Sequence, residues 1–171
     1  MPAHAGRRSS TIPWPAWRTP TGIAWAPALP TYAGWCAELE SMRIAPSLQH
    51  DDLHDGNVFV RDGRYLFIDW GDSSVSHPFV TLRTTSNVVA DLFEVELDDP
   101  LLMRLRDRYL EPWERYGARV NLLEAFDVAL QVGIVCRALT FQRFVTQMQP
   151  PIRKRYAETV PSIFRKFIDA A

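Results

Sequence analysis

Apolar residues recur at helical spacing along most of this chain and change to strand-like runs at one place only. From about Thr31 to Arg43, residues Trp35, Leu39 and Met42 fall at i, i+4 and i+7, one face of a helix that Pro46 closes. The run from Gln49 to Gly56 is polar, has no period and predicts a loop. Two short β-prone runs follow, at 57–60 (Asn-Val-Phe-Val) and 65–68 (Tyr-Leu-Phe-Ile), separated by Arg61-Asp62-Gly63-Arg64. Asp-Gly between two such runs predicts a hairpin, because glycine accepts the positive φ of a type I′ turn. Helical spacing then returns from Phe79 to about Leu97. Asp99-Pro100 starts another helix, whose stripe of Leu101, Leu105, Tyr109 and Trp113 runs as far as Gly117. Asn121 is expected to cap a long helix reaching about Met148, apolar on nearly every side between Val128 and Leu139 and therefore central and buried. Pro150-Pro151 breaks it, and a last helical stretch bears Ile152, Tyr156, Ile163 and Phe167, interrupted at Pro161. The fold class this pattern gives is mainly α with one small β-hairpin (α+β), without an internal repeat.

Composition changes that picture at the N-terminus. A chain of 171 residues, 47% hydrophobic and 23% charged, is one domain with room for a real core. Its formal net charge of −1 gives no electrostatic case for nucleic acid. No apolar run approaches the roughly 18–20 residues of a membrane span. Cys36 and Cys136 stand too far apart in sequence to form a metal-ligand pair and read as buried free thiols of a reducing compartment, which places the protein in the cytoplasm. The first thirty residues hold six of the thirteen prolines, and no acidic residue precedes Glu38. Residues 1–30 are therefore expected to be a disordered or loosely docked tail, and 31–171 the folded domain. Arg7-Arg8-Ser9-Ser10 is followed by no continuous apolar region, which sets aside an export signal, and the prolines would break the helix of a transit peptide. Trp14, Trp17 and Trp25 are expected to pack on the domain or on a partner.

The densest polar segment is His50-Asp51-Asp52-Leu53-His54-Asp55-Gly56-Asn57, and Asp69 ends the second β-prone run twelve residues after Asn57. A turn at Asp62-Gly63 brings the open ends of the strands together, so that Asn57 and Asp69 come within about one residue of being cross-strand neighbours. Asp52, in the loop feeding that end, can approach both. Two carboxylates and an amide oxygen suit phosphoryl transfer: hard oxygens hold Mg²⁺ on nucleotide phosphates, and a further carboxylate can take the proton of an attacking hydroxyl. A zinc reading of His50 and His54 fails on two counts, since His-Asp-Asp-Leu-His lacks the glutamate of the HExxH motif and Gly56 with its hairpin argues against a helix. Asp72 is expected to cap the next helix or satisfy turn amides. The acidic stretch Asp91, Glu94, Glu96, Asp98 and Asp99 reads as a solvated helix end rather than a trap for a polycation.

The interval from Asp52 to Asn57 is the D-x-x-x-x-N of protein-kinase catalytic loops, which picks Asp52 over Asp51. The longer run HDDLHDGNVFV, with FIDWGD after it, resembles the catalytic core of the aminoglycoside phosphotransferase family, which also includes choline kinase-like enzymes and reads roughly H-G-D-L-H-x-G-N followed by I-D-W or I-D-F. The resemblance implies the helical C-terminal lobe of a protein-kinase-like fold over about Thr31 to Ala171. It further implies phosphoryl transfer from ATP to a hydroxyl of a small molecule, with Asp52 as catalytic base, Asn57 and Asp69 as Mg²⁺ ligands, and His50 and His54 bracing the loop. Two departures stand out. Asp51 replaces the family's usual glycine, where its carboxylate would alter the charge near the base or face solvent. Only 49 residues, Pro-rich and without lysine, precede His50. The β-rich N-terminal lobe, with its phosphate-covering loop and lysine, is thus expected to be absent, and no Walker A motif replaces it. The alternative implied is a non-catalytic or truncated kinase-like fragment, or one that needs a separate N-terminal lobe as partner. Exposed apolar residues at the docking face would favour that alternative.

Overall fold

A computed structural model describes residues 26–170, with side chains from 27 to 169. Most of the 1–30 segment, including its three tryptophans and the Arg7-Arg8 pair, lies outside the described residues. The part that is described is helical: a 3₁₀ turn at Ala26–Ala28 leads into α1 (Leu29–Ser41), and Ala28 is buried. Leu39 of α1 is buried, and Trp35 and Met42 pack beside it, as their spacing requires. The helix closes through Arg43, whose left-handed φ of 56° lets its N–H reach the Glu40 carbonyl at 3.1 Å.

The domain is mainly α, with strands in two small antiparallel pairs. The expected hairpin is β2 (Val58–Arg61) with β3 (Arg64–Phe67), in the register Val58 to Phe67 and Arg61 to Arg64. Asp62 and Gly63 make its two-residue turn with φ of 52° and 71°, the doubly positive pattern that Asp-Gly favours. The second pair corrects the sequence reading. Ser47–Gln49, placed partly in a loop, forms β1 and pairs with β4 (Ser74–Ser76) in the register Ser47 to Ser76. Strands of three residues carry too few side chains to show a period, and their pairing depends on a partner 27 residues away.

Helix boundaries moved where caps decided them. α2 spans Leu82–Phe93, shorter at both ends than the 79–97 expected, because Glu94 takes a left-handed φ of 51° and stops it. α3 (Pro100–Leu110) begins as predicted, with the Asp99 carboxylate accepting the Leu101 N–H at 2.7 Å; its stripe continues through a 3₁₀ segment at Glu111–Tyr116. α4 (Arg119–Gln147) starts after Ala118, so Asn121 lies inside the first turn and caps nothing. Pro150-Pro151 both ends α4 and opens the short α5 (Pro150–Arg155). Pro161 does not interrupt α6 (Thr159–Ala170); it sits in its first turn, where the missing N–H costs nothing.

α4 is the axis of the domain. Its buried Leu122, Ala125, Phe126, Ala129 and Val132 pack with Leu39 of α1, Leu82 of α2, Leu110 of α3 and the buried Phe79. Further along, Ile134 meets Phe167 of α6, whose ring is edge-on to Tyr32 and Trp35 of α1. Gly133 lets α4 approach the entry to α2: a Cβ there would lie 3.1 Å from the Arg83 Cβ and 3.4 Å from the Val80 carbonyl. No helix among the described residues is long and apolar enough to cross a membrane.

Candidate active site

The loop between β1 and β2 is closed by its last residue. Asn57 is buried, and its Nδ2 donates to the Asp52 backbone carbonyl at 3.0 Å, which explains the five-residue interval physically. With the amide nitrogen committed there, Oδ1 is the atom left for a ligand. The Asn57 backbone carbonyl accepts the Ile68 N–H at 3.0 Å, extending the hairpin ladder by one step. Asp69 is thus the next residue beyond the one facing Asn57. It is exposed, takes a left-handed φ of 59°, and its carboxylate meets no hydrogen-bond or ion-pair partner among the described residues.

Both histidines lie at this loop. His50 is buried, and its Nε2 donates to the Ile68 carbonyl at 2.7 Å while its ring packs 4.7 Å from that of Trp70. His54 accepts the Gly56 N–H on Nδ1 at 3.1 Å, and its Nε2 lies 3.1 Å from Asn57 Nδ2 and 3.6 Å from Asp52 Oδ2. Gly56 is required for this packing, since a Cβ would stand 2.9 Å from the His54 ring.

Asp51 has a left-handed φ of 60°, which accounts for glycine being the usual residue there; aspartate is among the few others that tolerate it. Its carboxylate neither faces solvent nor joins Asp52. It accepts a short hydrogen bond from the Ser74 hydroxyl of β4, and burial raises its pKa against that bond, with the Asp72 charge adding to the rise. The loop backbone is held from α2, where Thr84 Oγ1 donates to the Asp51 carbonyl at 3.0 Å and Thr85 Oγ1 to the Leu53 carbonyl at 2.8 Å.

Asp72 corrects another expectation. It caps no helix and instead pairs with two arginines of α4, Arg137 Nη1 at 3.6 Å and Arg143 Nη2 at 3.7 Å. Arg137 Nη2 also reaches Asp52 Oδ1 at 3.0 Å. Sequence reasoning missed Arg137, Arg143, Thr84 and Thr85. A signal for the first existed: Arg137 is the single charged residue in the mostly apolar stretch 128–139. Both cysteines are free, but Cys36 is exposed rather than buried. Cys136 is half-buried, and burial pushes its thiol up to about 11, far from a nucleophile's range.

Mg²⁺ is commonly held by one or two carboxylates with water and substrate phosphates completing the shell. Asn57 and Asp69 offer two hard oxygen donors, neither engaged by another side chain, at adjoining positions of the hairpin's open end, and that donor set fits the ion. No group of three or more His, Cys, Asp or Glu side chains suited to a metal occurs among the described residues, so a cage built by the protein alone is not what they form.

A family model described as the phosphotransferase enzyme family matches residues 10–120, well over half of the chain. The match begins earlier and ends earlier than the 31–171 expected. It includes the loop, the hairpin and Asp69, and stops at the start of α4. No curated protein and no solved structure matches the chain.

Proposed function

The chain belongs to the phosphotransferase enzyme family, and on that premise we propose that it transfers the γ-phosphoryl group of ATP to a hydroxyl of a small molecule. The observation that carries this reading is Asn57, whose side chain closes the loop on Asp52 and whose carbonyl pairs with the residue before Asp69. In the proposed reaction the acceptor hydroxyl attacks the γ-phosphorus, the bond to the β–γ bridging oxygen breaks, ADP leaves, and Asp52 receives the hydroxyl proton. Asn57 and Asp69 would hold Mg²⁺, which when bound neutralises charge on the phosphates. Catalysis on this reading rests on positioning and charge stabilisation.

Titration of the purified chain with Mg·ATP by calorimetry tests the proposal. Asp69→Ala is expected to abolish binding. Asp52→Asn is expected to bind normally and to lose about 10²–10⁴-fold in turnover, the usual contribution of a general base. Undiminished turnover in Asp52→Asn would sink the assignment.

A second reading has its own observation. The hairpin presents an apolar face, on which Phe59 and its cross-strand partner Leu66 are 53% and 45% exposed, with Ile68, 45% exposed, next along the same side. Contiguous apolar surface of this kind marks an interaction site. On this reading the described lobe works only when another lobe, supplied by a separate chain, covers the hairpin and grips the nucleotide. A well-folded chain that binds no Mg·ATP alone would favour it over the first.

A further inference from the structure

We propose that Arg137 is a positioning residue that fastens the Asp52 loop and the Trp70–Asp72 turn together from α4, making one site of two segments. The inference rests on the reading of Asp52 as proton acceptor. Arg137 lies beyond the span matched by the family model, on a helix whose neighbouring Ile134 and Ala138 are buried in the core. A charge on so apolar a stretch is tolerated only where partners compensate its desolvation. Here they do, and each Nη faces a different segment: Nη2 stands 3.0 Å from Asp52 Oδ1, Nη1 3.6 Å from Asp72 Oδ2. The Phe141 ring lies 4.5 Å from the guanidinium carbon and fixes the plane of the fork. Arg143 ties the same turn a second time, through Asp72 and, at 3.1 Å, the Gly71 carbonyl.

The fork also distinguishes the two oxygens of Asp52. Oδ1 is held by Arg137, so Oδ2 is the oxygen left to receive the hydroxyl proton. Lysine would replace the arginine poorly, because a compact ammonium lacks the planar two-armed fork that faces both segments and stacks on the ring.

Amide hydrogen exchange on the apo chain tests this without requiring turnover. In Arg137→Ala, peptides covering 50–57 and 70–74 are expected to exchange about tenfold or more faster together, the size expected for loss of a small opening free energy, while the centre of α4 stays protected. Arg137→Lys is expected to preserve the helix and to loosen the 70–74 peptide; it carries the same comparison if the alanine variant does not fold. With an active chain, both variants should lower kcat, the alanine by about 10²-fold, and leave the Mg·ATP dissociation constant within about threefold by the same positioning argument. Unchanged exchange in both segments, or loss of protection spread through α4, would overturn the proposal. So would a change confined to KM. A chain that binds no Mg·ATP would defeat the functional reading, and the exchange result would still decide whether Arg137 joins the two segments.

Discussion

At the scale of single residues, backbone conformation explains the site's least expected feature. Asp51 and Asp69 both adopt left-handed φ, and each stands beside a group on which the proposed chemistry depends. A side chain with a Cβ pays about 1–2 kcal/mol there relative to glycine, and aspartate meets that cost at Asp51 with its bond to Ser74. Asp51→Ala removes the bond and keeps the strain, whereas Asp51→Gly removes both. The alanine variant should therefore be less stable than the glycine variant by about 1 kcal/mol, as read from urea unfolding midpoints. Equal stabilities would mean that the backbone at residue 51 is not left-handed in solution. The Asp51 carboxylate was legible as chemistry in the sequence, but its partner was not, because Ser74 is 23 residues away on a strand with no pattern of its own.

Among the elements, the connection from β4 to α2 joins the site to the core. His77 sits on it half-buried, its ring 4.8 Å from that of Phe79 and its Nε2 without a hydrogen-bond partner. Burial lowers its pKa from 6.5 to about 4, so the folded state disfavours the proton that the unfolded state accepts. The stability His77 contributes is complete above pH 6.5, falls as pH drops from 6.5 towards 4, and is lost no further below that. Asp51 acts in the opposite sense, since its raised pKa favours the protonated folded state as pH falls. Thermal melts across this window should show a decline in Tm towards acid that His77→Gln flattens. An unchanged slope in that variant would assign the acid sensitivity elsewhere. His77-Pro78 read from sequence as a loop, which it is; its burial follows from Tyr109 of α3, whose hydroxyl donates to the Pro78 carbonyl at 2.7 Å.

For the molecule as a whole, α4 carries two separate duties. Its N-terminal half fills the main core, and its C-terminal half docks α6 on one side while presenting Arg137 and Arg143 to the site on the other. Phe167 is the anchor of the second contact, almost fully buried against Tyr32, Trp35 and Ile134. Phe167→Ala is expected to destabilise the chain by about 3–5 kcal/mol, the usual cost of emptying an aromatic site in a core, measured by chemical denaturation. A loss below about 1 kcal/mol, far under that range, would show that α6 is not integral to the fold. The apolar hairpin face is the counterpart of this packing, since Phe59 and Leu66, paired across the strands, both stay exposed.

What the sequence determined by itself was whatever depends on neighbours within a few residues. The Asp-Gly turn fixed the hairpin, the Asp99-Pro100 pair fixed the start of α3, and the mostly apolar stretch of α4 marked the central helix, because turn geometry, capping and helical periodicity are local. The D-x-x-x-x-N interval was legible for the same reason: Asn57 closes that loop on Asp52 through a bond spanning five residues. Only the tertiary structure decided the rest. The β1–β4 pair, the threonines of α2 under the loop, and the arginines of α4 across it act over 25 to 85 residues of chain. Which of the seventeen arginines would meet Asp52 is set by how α4 packs, and packing is a property of the whole core rather than of any segment.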